Sequence, residues 1–279
     1  MKKICTPNEF ETKKLKEIWK ICFNESDEYI EWFFKALYVP ENTFCLKSDG
    51  EIVSMLMVFR HNYALRGKNL SSAYIGGVST LPSFRGEGNI TRLMESCLKK
   101  AVQTGFDIAS LIPVDELFYK QYGFETVSDM YVYGGASKHL PACESNVGKL
   151  SFEQIYRSFC KNYNFYECRD TESFSLISEE AAAVGNSIYK ADDGYIVYSE
   201  KDKVMDCREF VYANEAAAKN LTKFIKENSD EFTVRGDASL SSLFGFEVKR
   251  EPYMMVKVLK DDLKIAKNTE NFFNMTVWT

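Results

Sequence analysis

The sequence predicts an α/β chain in two lobes, the second a degenerate copy of the first. Three observations predict it. Apolar residues switch repeatedly between a period of two and a period of about 3.6, so strand and amphipathic helix patterns follow one another along the whole chain. The order strand, turn, strand, helix, strand, short helix, strand occurs twice, and Gly-Phe-Glu follows the short helix each time, at Gly123-Phe124-Glu125 and at Gly245-Phe246-Glu247. Between the two series lies GGASKHLPACESNVGK, rich in turn-forming residues. The expected organisation is a first lobe over 1–138, a linker over 139–149 and a second lobe over 150–279.

Two amphipathic helices open the chain, Glu9 to Phe23 and Asp27 to Tyr38, each with its apolar residues at helical spacing. TFCLK, an Asp49-Gly50 turn, EIVSMLMVFRHNYALRG and KNLSSAYIGGVST read as strands of a hairpin meander. Ile90, Leu93, Met94, Cys97, Leu98, Ala101 and Val102 repeat at helical spacing and Gly105 follows, where a glycine ends a helix well. Then come the apolar strand DIASLI, a short helix in DELFYKQY, and two strands, GFETV and MYVYGG. The second series holds strands in GYIVYSE and KVMDCREFVY, a helix in NEAAAKNLTKFIKEN, the strand EFTVRG, a short helix and a last strand in GFEVKREPYMMVKVL.

The chain has 279 residues, 45% of them apolar, which is enough to fill the cores of two lobes. Its 35 basic and 40 acidic residues are interspersed and give a net charge of -5, so no cationic stripe invites nucleic acid. Eight scattered cysteines without a CxxC pair, and an N-terminus without an apolar export segment, point to free thiols in a reducing cytoplasm. No apolar run reaches the roughly 20 residues that cross a bilayer, so no membrane partner is expected. With only His61 and His139 available, a histidine zinc site or a serine-histidine triad is disfavoured and no metal is expected. The chemistry must then come from tyrosine, carboxylates and backbone amides.

Residues 78–90, VSTLPSFRGEGNI, run from a strand end into a helix start. The first N–H groups of a helix lack partners, and the helix dipole puts about half a positive charge there. Gly86 and Gly88 let the chain turn sharply and expose those N–H groups to a bulky anion, and Arg85 adds a cation. The loop has no lysine followed by serine or threonine, and it lacks GxGxxG, so neither a nucleoside triphosphate nor a dinucleotide loop fits. Taken alone the stretch is better read as a glycine turn with Asn89 as an ordinary helix cap.

In context, the strand VST, Pro82, Phe84, RGEGN, the amphipathic helix and the later FYKQYGFE resemble the GCN5-related N-acetyltransferase (GNAT) superfamily, whose central motif is R/Q-x-x-G-x-G/A after a strand. Arg85 and Gly88 match it; Ile90 stands where the family usually has glycine or alanine. A large residue there, and the LIP...FYKQYGF stretch, resemble the tandem-domain, enhanced-intracellular-survival-like branch. The resemblance implies two GNAT-like lobes, each a mixed, mostly antiparallel twisted sheet flanked by helices. It implies acetyl-coenzyme A as co-substrate, its pyrophosphate on Arg85, Gly86, Glu87, Gly88, Asn89, Ile90 and Thr91, and its pantetheine arm along Val78, Ser79 and Thr80 as an added strand. Gly76-Gly77 is where that strand can bulge to admit it.

The resemblance also makes Tyr119, four residues before Gly123, the general acid that protonates the departing thiolate, with Tyr122 as the neighbouring alternative. Four residues before Gly245 stands Ser241, and the second loop, REFVYANEAAAKN, has no glycine, so the second lobe is expected to keep the fold without the ligand site. For the base the candidates are His61, a water chain and the terminal carboxylate of Thr279, at the end of an apolar tail expected to dock. The expected activity is acetyl transfer to a primary amine of a small molecule or peptide. The rival is a non-catalytic acyl-coenzyme A sensing or interaction module.

Overall fold

A computed structural model of the chain describes residues 1–141, 149–191, 193–245, 247–265 and 272–273. In chain order the elements are β1 (Lys2–Cys5), α1 (Thr12–Phe23), α2 (Asp27–Ala36), β2 (Thr43–Ser48), β3 (Glu51–Leu65), β4 (Lys68–Thr80), α3 (Asn89–Thr104), β5 (Ile108–Leu111), α4 (Glu116–Lys120) and β6 (Glu125–Ala136). They continue with α5 (Phe152–Cys160), β7 (Phe165–Glu167), α6 (Thr171–Ala183), β8 (Ser187–Ala191), β9 (Gly194–Lys201), β10 (Val204–Tyr212), α7 (Glu215–Asn228), β11 (Glu231–Gly236), α8 (Ser241–Phe244), β12 (Glu247–Val258) and β13 (Phe272–Phe273).

Local chemistry sets the boundaries. Before α1 the chain makes one 3-10 turn over Glu9–Glu11, where Asn8 and Glu11 cap each other's backbone N–H groups, so the α-helix starts three residues later than its apolar spacing predicts. It ends at Asn24, which takes a left-handed φ of 57°. Ser26 starts α2 by accepting from the Tyr29 N–H. The polar Ser128-Asp129 pair, which reads as a break between two strands, is carried inside the single strand β6, and Asp129 instead takes the Arg250 guanidinium. The sequence reading also passed over β1 and the segment α5–β7–α6–β8, whose Ser151 and Asp170 capping boxes are plain helix starts.

The chain forms two compact units. The first holds residues 1–63, 68–126 and 254–267; the second holds 64–67, 127–253 and 268–279. The turn-rich stretch 139–149, expected as a linker, falls within the 127–253 segment, and its residues 142–148 lie outside the described residues. β6, expected to close the first lobe, pairs with β11, and the end of β12 pairs with β5.

In the first unit the strand order is β1-β2-β3-β4-β5, with Met254–Val258 of β12 beyond β5. β4 and β5 are parallel, and α3 makes the crossover between them. Leu93, Met94, Cys97 and Ala101 bury one stripe of α3 against Leu56, Ala73, Ile75 and Leu111 of the sheet. In the second unit the order is β6-β11-β10-β9-β8, β10 and β11 are parallel, and α7 makes the crossover. The repeat in the sequence is therefore a repeat of topology. The tail, expected to dock, contributes β13, which pairs in parallel with β7.

Candidate acetyl-transfer site

The site begins where β4 outruns its neighbour. The pairing of β4 with β5 covers Ser72–Tyr74 against Ile108–Ser110, and β4 continues to Thr80. Just past the paired stretch, Gly77 takes φ 60°. A Cβ on Gly77 would fall 2.8 Å from Cζ3 of Trp19 on α1, and one on Gly76 would fall 3.2 Å from Cε2 of Phe59. The sequence expected a bulge here; the structure adds that an aromatic ring occupies the space a side chain would need.

The strand end is firmly tied. Ser54 Oγ donates to the Ser79 carbonyl at 2.9 Å and lies 2.8 Å from Thr80 Oγ1. The Leu81 N–H donates to the Val53 carbonyl, and the Arg85 Nε–H donates to the Thr80 carbonyl at 3.1 Å. Arg85 thus works partly as a strut between strand and loop. Val78, half-buried, packs against the first core.

The loop then opens. Gly86 and Gly88 take φ of 78° and 68°, and a Cβ on either would meet nothing within 4 Å. Gly88 is itself the N-cap of α3, with no side chain to accept from the helix, and the first helical bond runs from Arg92 N–H to the Gly88 carbonyl. Among the described residues no side chain is bonded to the first-turn N–H groups of Asn89, Ile90 and Thr91. The alternative reading of Asn89 as the cap does not hold. Asn89 is one position further in and buried, its Nδ2 donating to the Phe84 carbonyl at 2.8 Å and its Oδ1 accepting from Lys2 Nζ at 2.8 Å. Lys2 Nζ also pairs with Glu87 at 2.7 Å, which holds that carboxyl below the usual range and offsets its charge beside the uncapped amides.

Tyr119 lies on α4, a helix of five residues started by Asp115, whose carboxylate accepts from the Leu117 N–H. Its ring is buried beside Phe118 and Phe124. Burial, with lesser effects of Tyr122 and Asp115, pushes its phenol up to about 12, so it stays protonated throughout the neutral range. Tyr122 is committed elsewhere, its hydroxyl 2.9 Å from Thr91 Oγ1 in the first turn of α3. That contact ties α4 to the loop helix.

His61 is buried on β3 with its ring stacked at 4.7 Å on Tyr74, the last residue of β4 in the paired stretch. Thr279 lies outside the described residues. Lys2 and the Trp19 ring over Gly77 escaped sequence reasoning, because nothing local relates residue 2 to residue 89 or residue 19 to residue 77. Two surface clefts of about 460 and 530 Å³ flank α3, and neither is lined by Tyr119 or the loop glycines. Among the described residues no cluster of metal-binding side chains occurs, and no helix is long and apolar enough to cross a membrane.

Residues 3–127 match the family profile described as an acetyltransferase (GNAT) domain. None of the curated proteins matches the sequence. Among solved structures the chain is similar to a GCN5-related N-acetyltransferase from Anabaena variabilis (TM-score 0.78, 16% identity, 93% of this chain and 73% of that one). It is also similar to a conserved protein of unknown function from Enterococcus faecalis V583 (0.76, 21%, 93% and 72%) and to Eis1 from Mycobacterium abscessus (0.70, 14%, 93% and 74%). With a glycine loop after an overrunning strand in its first unit, the chain resembles a GNAT acetyltransferase domain over residues 3–127 and shares its fold over 93% of its length with these solved structures.

Proposed function

We propose that this chain transfers the acetyl group of acetyl-coenzyme A directly to a primary amine of a small molecule or peptide. The observation that carries the reading is the Gly88 N-cap, which leaves the amides of Asn89–Thr91 uncapped beside open space. The pyrophosphate would be held by backbone amides over residues 86–91 with Arg85 alongside, and the pantetheine arm would run along Val78–Thr80. Among the main-chain carbonyls there, those of Ser79 and Thr80 already accept from Ser54 and Arg85.

The acceptor must lose a proton before attack; an amine of pKa about 10.4 is neutral in about one molecule in 2,500 at pH 7, a cost of about 4.6 kcal/mol. Its nitrogen then adds to the thioester carbonyl carbon and the C–S bond breaks as the oxyanion collapses. The thiolate, of conjugate pKa about 8.5, accepts a hydrogen bond from the Tyr119 phenol. Burial holds that phenol well above the ordinary thiol pKa of about 8.5, so outright proton transfer to the sulfur runs uphill. Tyr119 therefore stabilises the thiolate chiefly as a donor, and the proton shed by the amine completes the free thiol.

Isothermal calorimetry with acetyl-coenzyme A tests the cradle, and Tyr119→Phe tests the chemistry: turnover is expected to fall by about 10² with cofactor affinity nearly unchanged. Parent-like turnover in that variant would remove Tyr119 from the mechanism.

A further inference from the structure

The tyrosine helix is too short to hold itself. One turn of α-helix gains little cooperativity in water, so the orientation of α4 is set by its tertiary anchors. One of these comes from 135 residues further along the chain: Lys257 Nζ donates to the Tyr122 carbonyl at 2.7 Å. Lys257 lies on β12 opposite Ala109 of β5. The approach depends on Gly123, which takes φ 84° and whose missing Cβ would fall 2.6 Å from Nζ. The Tyr122 N–H in turn donates to the Tyr119 carbonyl at 3.1 Å, and the Tyr122 hydroxyl meets Thr91. Besides the Thr126 hydroxyl that donates to Glu116 of α4, the turn that carries the Tyr119 phenol is thus tied to the loop helix by a hydroxyl and to β12 by an ammonium.

We propose that Lys257 is a positioning residue of the acetyl-transfer site, its ammonium fixing through the Tyr122 carbonyl the turn that aims the Tyr119 phenol at the leaving sulfur. This rests on the role given above to Tyr119. A displacement of about 1 Å can cost about 10²-fold in rate, so a single lost hydrogen bond here is expected to act on turnover more than on binding.

The test is a double-mutant cycle between Lys257→Met and Tyr119→Phe, read as release of coenzyme A thiol from acetyl-coenzyme A with water as acceptor. Hydrogen exchange of the Phe118–Gly123 amides is followed alongside, with Lys257→Gln as a second variant that keeps a donor. Lys257→Met is expected to lower kcat about tenfold in the parent and less than about twofold in the Tyr119→Phe background, with the KM for acetyl-coenzyme A unchanged. Exchange over 118–123 is expected to speed up, and Lys257→Gln to fall between. An equal fall of kcat in both backgrounds overturns the proposal while sparing Tyr119, as does unaltered exchange in both Lys257 variants. If Tyr119→Phe alone leaves thiol release unchanged, the role of Tyr119 falls and that of Lys257 with it. If the parent releases no thiol to water, the exchange measurement alone decides, and unaltered exchange over 118–123 in both Lys257 variants overturns the proposal.

Discussion

Replacing Gly77 by alanine puts a β-carbon where the structure has two reasons to forbid one. The left-handed φ of 60° costs a non-glycine residue about 1–2 kcal/mol. The new Cβ would sit 2.8 Å from Cζ3 of Trp19, a ring that is itself packed against Phe23 and Phe33 and has nowhere to retreat. Overpacking of this kind typically costs about 1–3 kcal/mol. The expected loss is therefore about 2–5 kcal/mol, measured by urea unfolding monitored by tryptophan fluorescence and far-UV circular dichroism. The two parts separate in a cycle with Trp19→Leu, which removes the clashing atoms: in that background Gly77→Ala should cost only the backbone part. If Gly77→Ala costs as much in the Trp19→Leu background as it does beside the indole, the ring contact is not what requires glycine. If it costs under about 0.5 kcal/mol in the parent, within the range of an ordinary surface change, neither the left-handed φ nor the ring contact at Gly77 is right.

Gly88→Ala is the contrasting case: nothing lies within 4 Å of the new Cβ, so stability should fall only by about 1–2 kcal/mol, while acetyl-coenzyme A affinity by calorimetry should drop at least about tenfold as the methyl enters the anion's approach. Unchanged affinity would count against the cradle. The second concerns pH. An acid must be protonated to donate and is lost as pH rises through its pKa, so with Tyr119 pushed up to about 12 the turnover rate should climb with amine deprotonation and show no descending limb from this group up to pH about 10.5. A half-maximal fall near the ordinary tyrosine pKa of about 10 would mean that the phenol is not buried in the working enzyme.

The parts that were legible in the sequence are those governed by neighbours in the chain. Periodicity found α3 because Leu93, Met94, Cys97 and Ala101 must share one stripe, and the glycines at 86 and 88 announced a backbone that only glycine adopts cheaply. What escaped is governed by pairing at long range. Lys2 reaches Asn89 only because β1 lines up with β2, and nothing in the local pattern of Glu125–Ala136 says that its partner is β11. The strands β7 and β8 were missed for a different reason: they are short and half-polar, giving the period-two signal too few residues to register.

The second unit explains why a shared topology need not carry a shared site. There β10 and β11 pair in parallel from Val204 to Cys207, and the register of β10 against β9 slips between Cys207 and Glu209, just past the stretch paired with β11, as Gly77 with its φ of 60° lies just past the stretch of β4 paired with β5. In the first unit that stretch is glycine followed by an open loop. In the second it is Glu209, buried and bonded by the Arg169 guanidinium at 2.5 Å and the Tyr195 hydroxyl at 3.1 Å. The helix that follows is equally self-sufficient: Asn214 caps α7 by accepting from the Ala217 N–H at 2.9 Å, whereas Gly88 at the start of α3 has no side chain to do so. Removing one member of a buried charge pair typically costs about 3–5 kcal/mol, which makes this cluster difficult to convert into a ligand site by small steps. The first unit kept the open loop and the phenol; the second closed the equivalent stretch with its own ions and carries serine in the tyrosine's place.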